Sequence, residues 1–171
     1  MVCDMVSYSS AAGIILAGRI KGYSEDIKVI NVYGPYRDQE VFWDRLAGSG
    51  ILCEPNLIVA GDLNFTISLT KVWGSTVTDP LMHYFTSIIR DVGLMDLCPH
   101  EMGPTWRNGR VANQGIAKRI DRFLMAKNLV SGINKFRVWH EVSTISDHVP
   151  ICLQLDLGGD RRDYPFKFNH H

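Results

Sequence analysis

The chain has no excess of either charge: its 171 residues carry 18 Lys and Arg against 18 Asp and Glu. A neutral total gives no global attraction to nucleic acid or membrane, so binding of that kind has to come from a local patch. Cysteine is scarce. Cys3, Cys53, Cys98 and Cys152 stand far apart with no C-x-x-C pair, which argues against a zinc site or a redox dithiol. Scattered single cysteines suit a reduced compartment, nucleus or cytoplasm, rather than secretion. The Asn64-Phe65-Thr66 sequon is the one hint to the contrary. Long apolar runs are missing too. Residues 11–17 are too few to span a bilayer and follow no basic segment, so no membrane association is expected. The sequence holds no repeat, no G-x-S-x-G elbow, no G-x-x-x-x-G-K-[ST] loop and no H-E-x-x-H. These absences remove the usual serine hydrolases, P-loop enzymes and zincins.

What is there reads as one ordinary globular domain over residues 1–157, with a charged, aperiodic stretch at 158–171 as a linker or cut tail. Residues 12–20 and 26–33 read as strands joined by a hairpin at 21–24, ended by Tyr33-Gly34-Pro35. Residues 38–47 read as a helix with Val41, Phe42 and Leu46 inward. The short apolar run at 57–60 suits a strand buried on both faces. The clearest helix covers 80–92: Leu81, Met82, Phe85, Ile88, Ile89 and Val92 form one stripe, with Asp79 to cap it and Gly93 at the exit. Further strands are expected at 105–106, 120–125, 136–142 and 149–155. This order favours a mixed-sheet α/β layer fold over a doubly wound one.

Three segments border these strands: Gly61-Asp62-Leu63-Asn64, Arg119-Ile120-Asp121 and Ser146-Asp147-His148. Strand ends carrying acid, amide and imidazole groups are a common way to gather a divalent-metal site for phosphate ester cleavage. Asp62 and Asn64 are two apart and share a face of an extended chain, where the acid can take a proton and the amide can orient phosphate or water. Asp147 and His148 are adjacent, so they converge only if 146–148 is a loop. Asp121 can fix His148 in one tautomer and favour its cationic form. Adjacent residues rule out a Ser146-Asp147-His148 triad. Each segment alone has an ordinary explanation as a turn, a surface ion pair or a solvated loop. The ordered set is what points to function.

Between residues 106 and 127, Arg107, Arg110, Lys118, Arg119, Arg122 and Lys127 face Asp121 as the only acid. This local segment, 107–127, is the expected contact for DNA phosphates. Trp106 and Asn108 can stack against a base or sugar, and a place for Trp106 in the core is an equal alternative. His83, His100 and His140 have no partners at ligand spacing and are expected to be structural or exposed.

Asn31-Val32-Tyr33-Gly34-Pro35, Gly61-Asp62-Leu63-Asn64, Thr105-Trp106, Arg119-Ile120-Asp121-Arg122-Phe123-Leu124 and Ser146-Asp147-His148-Val149-Pro150-Ile151 together resemble the endonuclease/exonuclease/phosphatase superfamily. Within it they are most similar to the endonuclease domain of plant LINE-type (non-LTR) retrotransposons. The resemblance implies a four-layer α/β sandwich of the DNase-like type, two sheets face to face with helices outside. It also implies Mg²⁺-dependent cleavage of DNA, with Mn²⁺ as the alternative ion. Asp62 would activate water, Asn64 orient the phosphate, His148 contact it with support from Asp121, and Tyr33 aid the phosphate or leaving group. Asp147 and Asp62 would belong to the metal site, and Arg37, Trp106, Asn108 and Arg119 to substrate binding. One element of the pattern has no counterpart: the upstream strand ending in a metal-binding Glu. Neither Glu25 nor Asp4 has the right context. The expectation is therefore an N-terminally truncated domain lacking its first strands, with impaired cleavage. An active endonuclease, or a phosphatase for a small phosphorylated ligand, is the alternative.

Overall fold

The computed structural model describes residues 6–10, 13–19, 26–75, 79–111, 114–143 and 145–156. The expected hairpin turn at 21–24, the tail at 158–171, and Asp4 and Glu25 lie outside them. In chain order the elements are β1 (Val6–Ser10), β2 (Gly13–Arg19), β3 (Asp26–Val32), α1 (Gln39–Gly48), β4 (Leu57–Asp62), β5 (Val72–Trp73), α2 (Met82–Asp91), β6 (Leu94–Asp96), β7 (Trp106–Arg107), β8 (Ala117–Lys118), β9 (Asp121–Ala126), α3 (Lys127–Gly132), β10 (Lys135–His140) and β11 (Ile151–Asp156).

Six strands form the main sheet in the order β1-β2-β3-β4-β9-β6. Only β3 and β4 run parallel, and α1 lies in the crossover that a parallel pair requires. All other pairs are antiparallel. The sheet is mixed, as the sequence implies. β4 sits at its centre, and Leu57, Ile58 and Val59 are all buried, which explains the unbroken apolar run of that strand. β1 is an addition: its Ser-rich sequence carries no apolar signal, yet it pairs with β2 over its whole length.

The second sheet of the expected sandwich is divided in two among the described residues. β10 and β11 form an antiparallel pair, and β5, β8 and β7 form a three-stranded sheet. Val138 of β10, with Leu153 and Leu155 of β11, packs on the same core as the main sheet. α1 and α2 meet that core through Trp43 and Phe85. Both rings contact Phe65, Trp43 edge-on at 5.2 Å and Phe85 stacked at 4.0 Å.

α1 turns differently from the expectation. Phe42, Trp43, Leu46 and Ala47 form the inward stripe, while Val41 is exposed, because a helical face repeats at i, i+1, i+4 and i+5. α2 keeps most of its expected stripe, with Phe85 at the centre; Met82 does not join the core, and Tyr84 packs on it instead. Asp79 starts it through a hydrogen bond from Leu81 N to Oδ1 at 3.0 Å, and Gly93 leaves it at a φ of 72°. No helix among the described residues is long and apolar enough to cross a membrane.

Candidate active site

β4 delivers Asp62 to its carboxyl end, but the chain does not stay extended afterwards. Asn64 takes a left-handed conformation with a φ of 59°, which Asn tolerates better than most residues. Its backbone N–H donates to Asp62 Oδ1 at 3.0 Å. The two residues are therefore linked through an Asx turn, not through the strand alternation expected from their spacing. Asn64 is held in turn: its side-chain Nδ2 donates to Gly34 O at 2.8 Å, and its backbone carbonyl accepts from Gln39 Nε2 at 2.7 Å. Gly34 N donates to Asp62 O at 2.6 Å. A Cβ at Gly34 would overlap the Leu63 carbonyl, so only glycine lets the Tyr33-Gly34-Pro35 segment lie this close.

β9 begins at Asp121, which is the register partner of Asp62. Thr105, fully buried, fixes the entry to β9 by accepting from the Ile120 and Asp121 backbone N–H groups at 3.1 and 3.0 Å. The Ser146–His148 stretch is a bend, as convergence requires. His148 forms a bridge with Trp106, and Val149 N donates to Thr105 O at 2.7 Å. The imidazole Nδ1 lies 3.0 Å from Asp121 Oδ2, and Nε2 lies 3.9 Å from Asp62 Oδ2. With Nδ1–H given to Asp121, Nε2 is left facing Asp62 and the cavity. Asp147 Oδ2 accepts from Trp106 Nε1 at 2.9 Å. Trp106 is thus a cavity wall anchored to an acid rather than a core residue.

Asp62, Asn64, Trp106, Asp147 and His148 line an open cavity of about 850 Å³ together with Tyr33, Tyr36 and Lys118. Burial, and then the charge of Asp121, push the Asp62 carboxyl above its ordinary value. Asp147 adds to the shift, while the Asn64 N–H and His148 oppose it. The arrangement is a half-buried carboxylate crowded by other acids. Among the described residues no group of three or more His, Cys, Asp and Glu is arranged to hold a metal ion. Among the described residues no glutamate lines the cavity. Asp62 and Asp147 fit Mg²⁺, which takes one or two carboxylates and keeps several waters, better than they fit zinc.

Three of the residues expected to bind substrate stand elsewhere. Arg119 is 2% exposed and gives both terminal nitrogens to Asp96, at 2.6 and 2.8 Å. Arg122, fully buried, adds a third bond to the same carboxylate at 2.8 Å. Burial pushes the Arg122 guanidinium down to about 10. Burial acts on Asp96 as well, but the Arg119 hydrogen bond and the charges of Arg122 and Arg119 outweigh it and hold the carboxyl below its ordinary value. Two of the six cations of the basic segment are thus structural. Asn108 spends its amide on its own loop, accepting from Arg110 N and Ile116 N and donating to Gln114 O. Arg37 is exposed and does not line the cavity. Of the remaining cations Lys118 lines it, and Arg107 and Arg110 line an adjoining hollow that shares Ile116. Lys127 starts α3 at the far end of β9 from Asp121. His83 and His100 are exposed, and His140 is half-buried. Burial, and then the charge of Arg119, lower its pKa.

The sequence reading overlooks Asp96 and Tyr36, and it marks Thr105 as part of a motif without its role as acceptor at the entry to β9. An Asp ending a three-residue strand carries no periodic signal. Only the pairing of distant strands shows what they do.

No family model matches the sequence, and no curated protein does. Solved structures do match. The endonuclease domain of TRAS1, a telomere-specific non-LTR retrotransposon, superposes with a TM-score of 0.69 at 20% identity, covering 92% of this chain and 70% of that one. The 3′-5′ exonuclease NExo from Neisseria meningitidis gives 0.63 at 20% identity, over 90% and 71%. An AP endonuclease from Archaeoglobus fulgidus gives 0.61 at 18%, over 83% and 65%. At these identities the likeness is one of fold. The chain has the DNase-like α/β fold shared by nucleases of the endonuclease/exonuclease/phosphatase superfamily, the superfamily that its five motifs resemble.

Proposed function

We propose that this chain is a hydrolytic DNA-cleaving domain whose phosphate chemistry is intact and whose metal-binding half is weak. One observation carries the reading: His148 stands between Asp121 and Asp62, at 3.0 and 3.9 Å, where two neighbouring strands end. Asp62 takes a proton from the attacking water. Burial and the charge of Asp121 raise its carboxyl above the ordinary value in the metal-free chain. His148, oriented by Asp121, donates from Nε2 to a phosphoryl oxygen. Asn64, locked by the Asx turn, positions the phosphate, and the exposed Tyr33 phenol meets the leaving oxygen. Mg²⁺ or Mn²⁺ held by Asp62 and Asp147 would supply Lewis-acid polarisation of the phosphate. With so few protein ligands among the described residues its affinity is low, so cleavage is slow.

DNA as the substrate is supported by Lys118, Arg107 and Arg110 beside the site. It is supported too by what the fold neighbours are named for, including a 3′ phosphatase NExo structure bound to a product DNA hairpin. Such a substrate accords with nuclear or cytoplasmic residence.

Supercoiled plasmid nicking by the purified chain tests this. The expected result is slow nicking that needs millimolar Mg²⁺, stops with EDTA, and falls about 100-fold or more in both Asp62→Ala and His148→Ala. Metal-dependent nicking that persists in both variants would sink the site assignment. Turnover of about 1 s⁻¹ or faster at micromolar Mg²⁺ would overturn the weak-metal part.

A further inference from the structure

The hydrolytic scheme leaves Tyr36 unused. It stands between β3 and α1, is 85% exposed, and lines the cavity that holds Asp62 and His148. Neither its phenol nor that of Tyr33 has a hydrogen-bond partner among the described residues. Two large rings thus stand in water at the rim of one cavity, with their faces free to take a flat partner. Their segment is also fixed to the reacting centre. Gly34 N donates to Asp62 O, Asn64 Nδ2 returns a bond to Gly34 O, and Gln39 Nε2 reaches Asn64 O. The rings are thus placed relative to the base that activates water.

Lys118 lines the same cavity and has no carboxylate partner among the described residues. A nucleic-acid strand alternates flat apolar base faces with anionic phosphates, and the cavity offers a surface for each. Within a duplex both faces of a base are covered by its neighbours. A ring can stack only on a base that has left the stack.

We propose that Tyr36 forms a subsite for an unpaired nucleobase next to the cleaved phosphodiester. The site then prefers extrahelical or single-stranded nucleotides to fully paired DNA. This rests on the DNA-cleavage reading above and adds to it the form of the substrate.

Fluorescence of 2-aminopurine, which stacking quenches, gives the test. The dye is placed in a one-nucleotide bulge or in a paired position of the same oligonucleotide, and titrated in EDTA with the full chain, Tyr36→Phe and Tyr36→Ala. The expected result is tighter binding of the bulged form, with quenching by wild type and Tyr36→Phe. Tyr36→Ala should bind about 5- to 150-fold more weakly and quench little. Melting temperatures should match, because the ring supports no core contact. If Tyr36→Ala binds and quenches like wild type, the subsite is refuted while the cleavage reading stands. Wild type that nicks plasmid yet binds both oligonucleotides equally also refutes it. Wild type that neither nicks plasmid nor binds either oligonucleotide takes down both.

Discussion

Asp62 and Asp96 are enclosed carboxylates with opposite electrostatic fates. Asp62 is raised above 3.8 by burial and by Asp121, so its ionised form opposes folding at neutral pH. That penalty vanishes once the pH falls below the unfolded value. Asp62→Asn should therefore melt at a higher temperature than wild type at pH 7 in EDTA, and the gain should fade below about pH 4. Asp96 is held below 3.8 by Arg119 and Arg122 against the effect of burial. It stabilises the fold above the unfolded value, and that contribution is lost as pH falls toward the folded one. Thermal melts of the wild type should drop steeply below about pH 4, a slope absent from Asp96→Asn. Removing the carboxylate leaves two buried cations together, so Asp96→Ala should cost about 3–5 kcal/mol in urea unfolding. The sequence shows the Arg-Ile-Asp-Arg run plainly but not which way each member points. Asp121 reaches His148 while both arginines turn to a partner that the linear pattern does not mark.

At the scale of elements, the site is held by close backbone approaches between the Tyr33-Gly34-Pro35 loop and the turn after β4. Gly34→Ala should cost about 1–3 kcal/mol, because the added methyl meets the Leu63 carbonyl. It should also reduce nicking by more than the stability loss explains, since Tyr33 and Asn64 shift with the loop. Melting and plasmid nicking on the same preparation check both parts. Long apolar or periodic elements were legible: β3, β4, α2, β9 and β11 fall close to their expected ranges. β5, β7 and β8 are two residues each, and α3 is six. Spans that short cannot display a period of 2 or 3.6, so most of them went unseen. Asp62 and Asn64 line one cavity, but through a turn and not a shared strand face, because a left-handed Asn leaves no trace in spacing.

For the whole molecule, cooperativity should be uneven. β4 and β9 lie inside a six-stranded sheet, whereas β10 and β11 pair only with each other among the described residues. An isolated two-stranded pair is marginal by itself and depends on the core it covers. Hydrogen exchange should reach the amides of 135–140 and 151–156 well before those of 57–62 and 121–126. Equal protection in the two groups would contradict this. The α/β class and the mixed sheet followed from the order of elements. The division of the second sheet did not, since nothing in a short strand states which neighbour it will find.

His148 bridges to Trp106 just ahead of β11, so the imidazole joins the site from late in the chain. During synthesis at about 5–20 residues per second, the strands bearing Asp62 and Asp121 leave the ribosome seconds before it does. The nascent chain can thus hold its two acids side by side, repelling one another, until a histidine arrives between them. Competence comes as a single late event: the growing polypeptide carries no complete cleaving centre while it is still attached to the message that encodes it upstream of His148.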